Sequence, residues 1–134
     1  MIKRIKELHL EDKIYMVPEI NHKFIPSYIK KANVGISLLP PITAYKISSP
    51  TKIIEYLSIG IPVIGNYEIE DQKNIIIKSG GGYSPKYRKK NILQAIMKLS
   101  KDNDKARSMG IKGKQWLKSN RNYYFWEIIG NERN

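Results

Sequence analysis

The chain has 134 residues and a formal charge of +12 at neutral pH. Its length suits one domain, 1–134, with a core of its own. It has no cysteine and two histidines, which excludes disulfides, zinc fingers, thiol nucleophiles and a histidine-based metal cluster; nor does any apolar run approach the roughly 20 residues of a membrane-spanning helix.

The opening stretch, MIKRIKELHLEDK, is basic without the apolar segment of a signal peptide, so the expected location is the cytoplasm. Within it Ile2, Ile5 and Leu8 share one face of a short helix over 2–9. KIYMV, 13–17, is rich in strand formers and reads as a strand ended by Pro18. FIPSYIKKA, 24–32, reads as a helix with Pro26 in its first turn, and His22 before it as a loop residue. VGISLLP, 34–40, reads as a buried strand, and Pro40-Pro41 force a loop to about residue 46.

The next stretch, ISSPTKIIEYLSIGIPVIG, 47–65, carries the clearest punctuation. Ser49 suits a helix cap and Pro50 the first helical position, where its missing N–H costs nothing. Gly60 suits a left-handed C-terminal cap and Pro62 blocks continuation. PVIGN is then a strand. NIIIKSG, 74–80, reads as another, and the glycines at 80–82 as a turn close to the cleft. Helices follow at 91–101 and 104–118, and the tail reads as a last short helix packed by Trp126 and Ile129, with Trp116 and Trp126 as packing anchors.

Helix and strand therefore alternate, and the strands are short apolar runs without clean alternation. That pattern predicts an α/β domain with a Rossmann-like parallel sheet flanked by helices. In such sheets ligands bind beyond the carboxyl ends of the strands, where loops lead into helix N-termini. The loop 39–49 is such a place. Thr51 and Lys52 would offer backbone N–H groups to an anion, with Ser48 and Ser49 nearby. Glu55 follows Thr51 by four residues, on the same helical face and about 6 Å along the axis. That spacing is near the distance from a diphosphate to the ribose of one nucleotide, and a carboxylate accepts both hydrogen bonds of a ribose diol.

The motif residues Ser49, Pro50, Lys52, Glu55, Tyr56, Gly60, Pro62, Val63 and Ile64 resemble the donor-site segment of retaining GT-B fold glycosyltransferases, the glycosyltransferase family 4 group. The stretches from LHLEDKIYMVPEI to VGISLLP, and from SGGGYSP through KGKQWL to Phe125-Trp126-Glu127, resemble the family's flanks in the right order. The resemblance implies the C-terminal, donor-binding domain of such an enzyme, with its first strand absent. It implies a nucleotide-diphosphate sugar as substrate, no metal and no cofactor. Glu55 would bind the ribose, and the backbone at Thr51 and Lys52 the diphosphate. Many relatives carry a second glutamate eight residues earlier, where this chain has Ile47.

The implied function is sugar transfer to a glycan or lipid-linked acceptor, as in cell-envelope polysaccharide synthesis. It would need the N-terminal acceptor domain or a partner chain, and the chain alone would be inactive. The alternative is a non-catalytic module that binds a nucleotide sugar or a partner. The basic run KYRKK, 86–90, raises nucleic acid as a partner, but no nucleic-acid motif accompanies it and none is expected. Lys30, Lys31, Lys86, Arg88, Lys89 and Lys90 could instead touch anionic lipid at the inner membrane face.

Overall fold

The computed structural model describes residues 1–120. Its centre is a three-stranded parallel sheet, β1 (Gly35–Ser37), β2 (Val63–Gly65) and β3 (Gly82–Tyr83), in the order β1-β2-β3. Gly35 stands opposite Val63, and Val63 opposite Gly82. Parallel neighbours need crossovers. Helices α3 (Thr43–Lys46) and α4 (Thr51–Ile59) lie between β1 and β2, and α5 (Glu70–Ser79) between β2 and β3. Before the sheet come α1 (Ile2–Glu7), a 3-10 turn (His22–Phe24) and α2 (Ile25–Ile29); after it come α6 (Lys89–Lys101) and α7 (Asn103–Asn120).

Both faces of the central strand β2 are covered, which is why it reads as an apolar run, whereas Ile36 of β1 is 44% exposed. Val63 packs with Ile53 and Leu57 of α4, Ile75 and Ile76 of α5 and Leu117 of α7, and Trp116 packs against this cluster as an anchor. The next residue, Ile64, points to the opposite face and packs with Ala95 and Leu99 of α6 and Ala106 of α7.

The helix α4 stops as its sequence dictates. Gly60 is left-handed at φ 87°, and the N–H of Ile61 returns to the Tyr56 carbonyl at 3.0 Å. Its start differs from expectation. Pro50 occupies the cap and the helix begins at Thr51; Ser49 makes no capping bond, and its hydroxyl instead meets that of Thr51 at 3.2 Å. Tyr56 lies over Gly35, where an added Cβ would strike its ring.

Further expectations are corrected. The expected strand 74–80 is instead the end of α5 and its cap, with residues 74–79 helical: Glu70 and Asp71 in the first turn and left-handed Gly80 after the last are helix punctuation that outweighs the Ile75–Ile77 run. Its isoleucines divide by helical angle, with Ile75 and Ile76 buried and Ile77 64% exposed. The segment 13–17 is no strand; it is exposed and pairs with none of the three strands, and strand propensity without a partner fixes nothing. Residues 43–46 form a short helix within the expected loop. The glycines at 80–82 end α5 and begin β3 beside Val63, the first residue of β2, so they sit at the amino end of the sheet, away from the carboxyl ends where a ligand would bind. His22 lies in a 3-10 turn rather than a plain loop. The expected last helix, with Trp126 and Ile129, lies outside the described residues.

Candidate functional site at the carboxyl ends of the strands

Beyond the carboxyl ends of β1 and β2 the surface opens into a cleft of about 330 Å³. One wall is Ile36, Ser37, Leu38 and Leu39, the end of β1 and its continuation; another is Ser49, Thr51 and Lys52 at the start of α4; Gln72 of α5 closes the floor. The crossover topology sets this arrangement, because α4 starts on the side where β1 ends.

The start of α4 leaves backbone donors without a side-chain acceptor. The first N–H groups of a helix have no intrahelical acceptor, and a polar cap residue normally serves them. Here the cap is a proline, which has no side-chain acceptor, and no capping bond is present. The Thr51 hydroxyl and the Lys52 side chain are both exposed at the cleft.

The structure thus brings Ser49, Thr51 and Lys52 together on one cavity. Ser48 is half-buried and Glu55 lies one turn further along α4, and neither lines the cavity. Glu55 is half-buried on the side of α4 that faces His22. Burial pushes its carboxyl above the usual carboxylate range, and the charges of His22 and Lys52 pull it only part of the way back. Ile47, at the position of the second glutamate of many relatives, is 86% exposed.

Raised affinity for a proton in the fold has a defined sign. Protonated Glu55 favours folding below the unfolded carboxyl range, and that contribution is lost as pH rises through the raised value. Glu55→Gln is therefore expected to match the parent chain in acid and to exceed its thermal midpoint at neutral pH. A midpoint series across the carboxyl range checks this; a variant less stable than the parent at neutral pH would contradict it.

Beneath the cleft lies a polar network that the sequence reading missed. Asn66, fully buried directly after β2, holds the backbone of Leu39 in both directions: its Oδ1 accepts from the Leu39 N–H at 3.0 Å, and its Nδ2 donates to the Leu39 carbonyl at 3.0 Å. The Asn66 N–H donates to Gln72 Oε1 at 3.2 Å, and Gln72 Nε2 donates to the Ser37 hydroxyl at 3.2 Å. Asn66 Nδ2 also reaches the Glu68 carboxylate at 3.4 Å. Glu68 in turn accepts the Tyr87 N–H at 2.9 Å, and the Tyr67 N–H donates to the Pro85 carbonyl at 2.9 Å. Partial burial tends to raise the Glu68 carboxyl, but the bonds from Tyr87 and Asn66 and the Lys86 charge hold it below its ordinary value. The loops after all three strands are thereby joined at the edge of the cleft.

A three-stranded parallel sheet flanked by helices, with an uncapped helix start at its carboxyl ends, defines a Rossmann-like α/β domain. Comparison with known proteins gives the family: residues 1–116 match the family described as Glycosyl transferases group 1, and the chain belongs to it. A solved sucrose-phosphate synthase from Thermosynechococcus elongatus has a similar structure, with a TM-score of 0.78 and 21% sequence identity. The match covers 98% of this chain and 32% of that one, so this chain spans about a third of its length. The likeness is one of fold, that of the GT-B glycosyltransferases. A search of the curated proteins found no match.

Proposed function

We propose that this chain is the donor-binding half of a retaining glycosyltransferase that takes its sugar from a nucleoside-diphosphate sugar. The observation that carries the reading is the cleft between the end of β1 and the uncapped start of α4, lined by Ser49, Thr51 and Lys52. In this reading the diphosphate sits against the N–H groups of Thr51 and Lys52, with the hydroxyls of Ser48, Ser49 and Thr51 and the Lys52 ammonium around it. Glu55, about 6 Å along the helix, accepts hydrogen bonds from the ribose diol. Those bonds favour the ionised carboxylate that burial disfavours in the free chain.

When the glycosidic bond to the diphosphate breaks, negative charge develops on the leaving phosphate. The fixed helix N–H groups and Lys52 stabilise it in place, without a metal or a cofactor. The acceptor, a glycan or a lipid-linked sugar of cell-envelope synthesis, and the remaining catalytic groups come from an acceptor domain or a partner chain at the inner membrane face. Alone, the chain binds donor and turns over little, because a cleft that no second domain closes over excludes little water.

The test is equilibrium binding of UDP and GDP against UMP and GMP. The reading predicts that one diphosphate binds at least roughly tenfold more tightly than its monophosphate, the worth of one charge-assisted hydrogen bond. Equal affinity for the pair would remove the diphosphate from the helix start.

A further inference from the structure

The outer face of α6 sets exposed apolar side chains among lysines. Its sequence, KKNILQAIMKLSK, has four lysines and no acidic residue. The inner side is accounted for: Ala95 and Leu99 pack against Ile64 and Ala106. On the outer side Leu93 is 52% exposed, Ile96 36% and Met97 42%. At about 100° per residue these three fall within one stripe, with Lys89 beside Leu93 and Ile96, and Lys90 and Lys101 beside Met97. Just before the helix come Lys86, the exposed ring of Tyr87, and Arg88. Asp102, directly after it, is directed away: its carboxylate accepts the Lys105 N–H at 3.0 Å at the start of α7.

An apolar stripe flanked by cations, on a helix too short and too polar to cross a bilayer, matches the pattern of helices that lie in the lipid interface. We propose that the outer face of α6 docks the chain on an anionic lipid surface, with Leu93, Ile96 and Met97 entering the headgroup boundary and Lys89, Lys90 and Lys101 meeting lipid phosphates. The charge excludes a cationic or neutral occupant as the preferred one. The apolar centre argues against nucleic acid, whose backbone would set phosphates against Leu93 and Met97. Lys30, by contrast, lines a separate cleft with Asn103 and Arg107 and is not part of this face. The inference does not depend on the donor-site reading, since α6 contributes no residue to that cleft.

The test is co-sedimentation of the whole chain with vesicles of phosphatidylcholine alone and of phosphatidylcholine mixed with phosphatidylglycerol. Binding is expected to the mixed vesicles and to weaken as salt rises. Lys89→Ala with Lys90→Ala is expected to lower the partition coefficient roughly 30-fold at low salt, and Leu93→Ser with Met97→Ser roughly tenfold. All four side chains are exposed, so both variants should keep the parent's circular dichroism and thermal midpoint. Failure to bind the mixed vesicles, binding that neither folded variant weakens, or tighter binding to single-stranded RNA lost in the lysine variant would each overturn the proposal.

Discussion

Asn66→Ala is expected to lower the stability of the chain by about 3 kcal/mol. Asn66 is fully buried and serves the N–H and the carbonyl of Leu39 at once. Its truncation strands both backbone groups, and the cost is their desolvation rather than the modest net worth of the bonds. The loop 38–40 would lose its anchor, and with it one wall of the cleft, so ligand affinity should fall as well. Asn66→Asp separates the causes. The carboxylate it introduces can still accept from the Leu39 N–H, but it faces the Leu39 carbonyl and the Glu68 carboxylate. The penalty should therefore be large at neutral pH and shrink in acid, when the new carboxyl is protonated and can donate. Urea unfolding of both variants at two pH values checks this. An Asn66→Ala midpoint equal to the parent's would mean that the loop is held by other contacts.

The helix α4 is legible in the sequence because its punctuation is local. Pro50, Gly60 and Pro62 bound it, and Ile53 and Leu57 mark its buried face four residues apart. Its start lies one residue beyond the expected one, and the difference has a consequence: a proline cap leaves the first-turn N–H groups without a side-chain partner. The helix α5 is harder to read because three consecutive isoleucines suit either a buried strand or a helix, and only the acidic first turn decides the matter. KIYMV misleads for the opposite reason, since its strand propensity is strong but a strand also requires a neighbour. The network of Ser37, Gln72, Asn66 and Leu39 is not legible at all. Its bonds join residues 27 and 35 positions apart, and a single asparagine or glutamine in a sequence gives no sign of a partner that distant. The exposed apolar stripe of α6 is half legible: the lysines stand out, but which of Leu93, Ile96 and Met97 face outward depends on which side α6 turns to β2.

Glu55 carries the second large effect, on binding rather than on folding. A half-buried carboxylate with a raised proton affinity is costly to the free chain. A ribose diol would offset that cost by donating two hydrogen bonds to the charged form, each worth more than a neutral pair. Removing the carboxylate is expected to cost about 2 kcal/mol of binding, a loss of roughly 30-fold. The fold should survive, because Glu55 is not a member of the core cluster and Glu55→Ala leaves the α4 packing face of Ile53 and Leu57 intact.

The most direct measurement is a calorimetric titration of the whole chain with UDP and with GDP, beside Glu55→Ala. The account predicts saturable binding of one of them by the parent chain and roughly 30-fold weaker binding by the folded variant. Binding unchanged in the variant, or no binding to a parent chain whose circular dichroism shows it folded, would contradict a donor site at the start of α4.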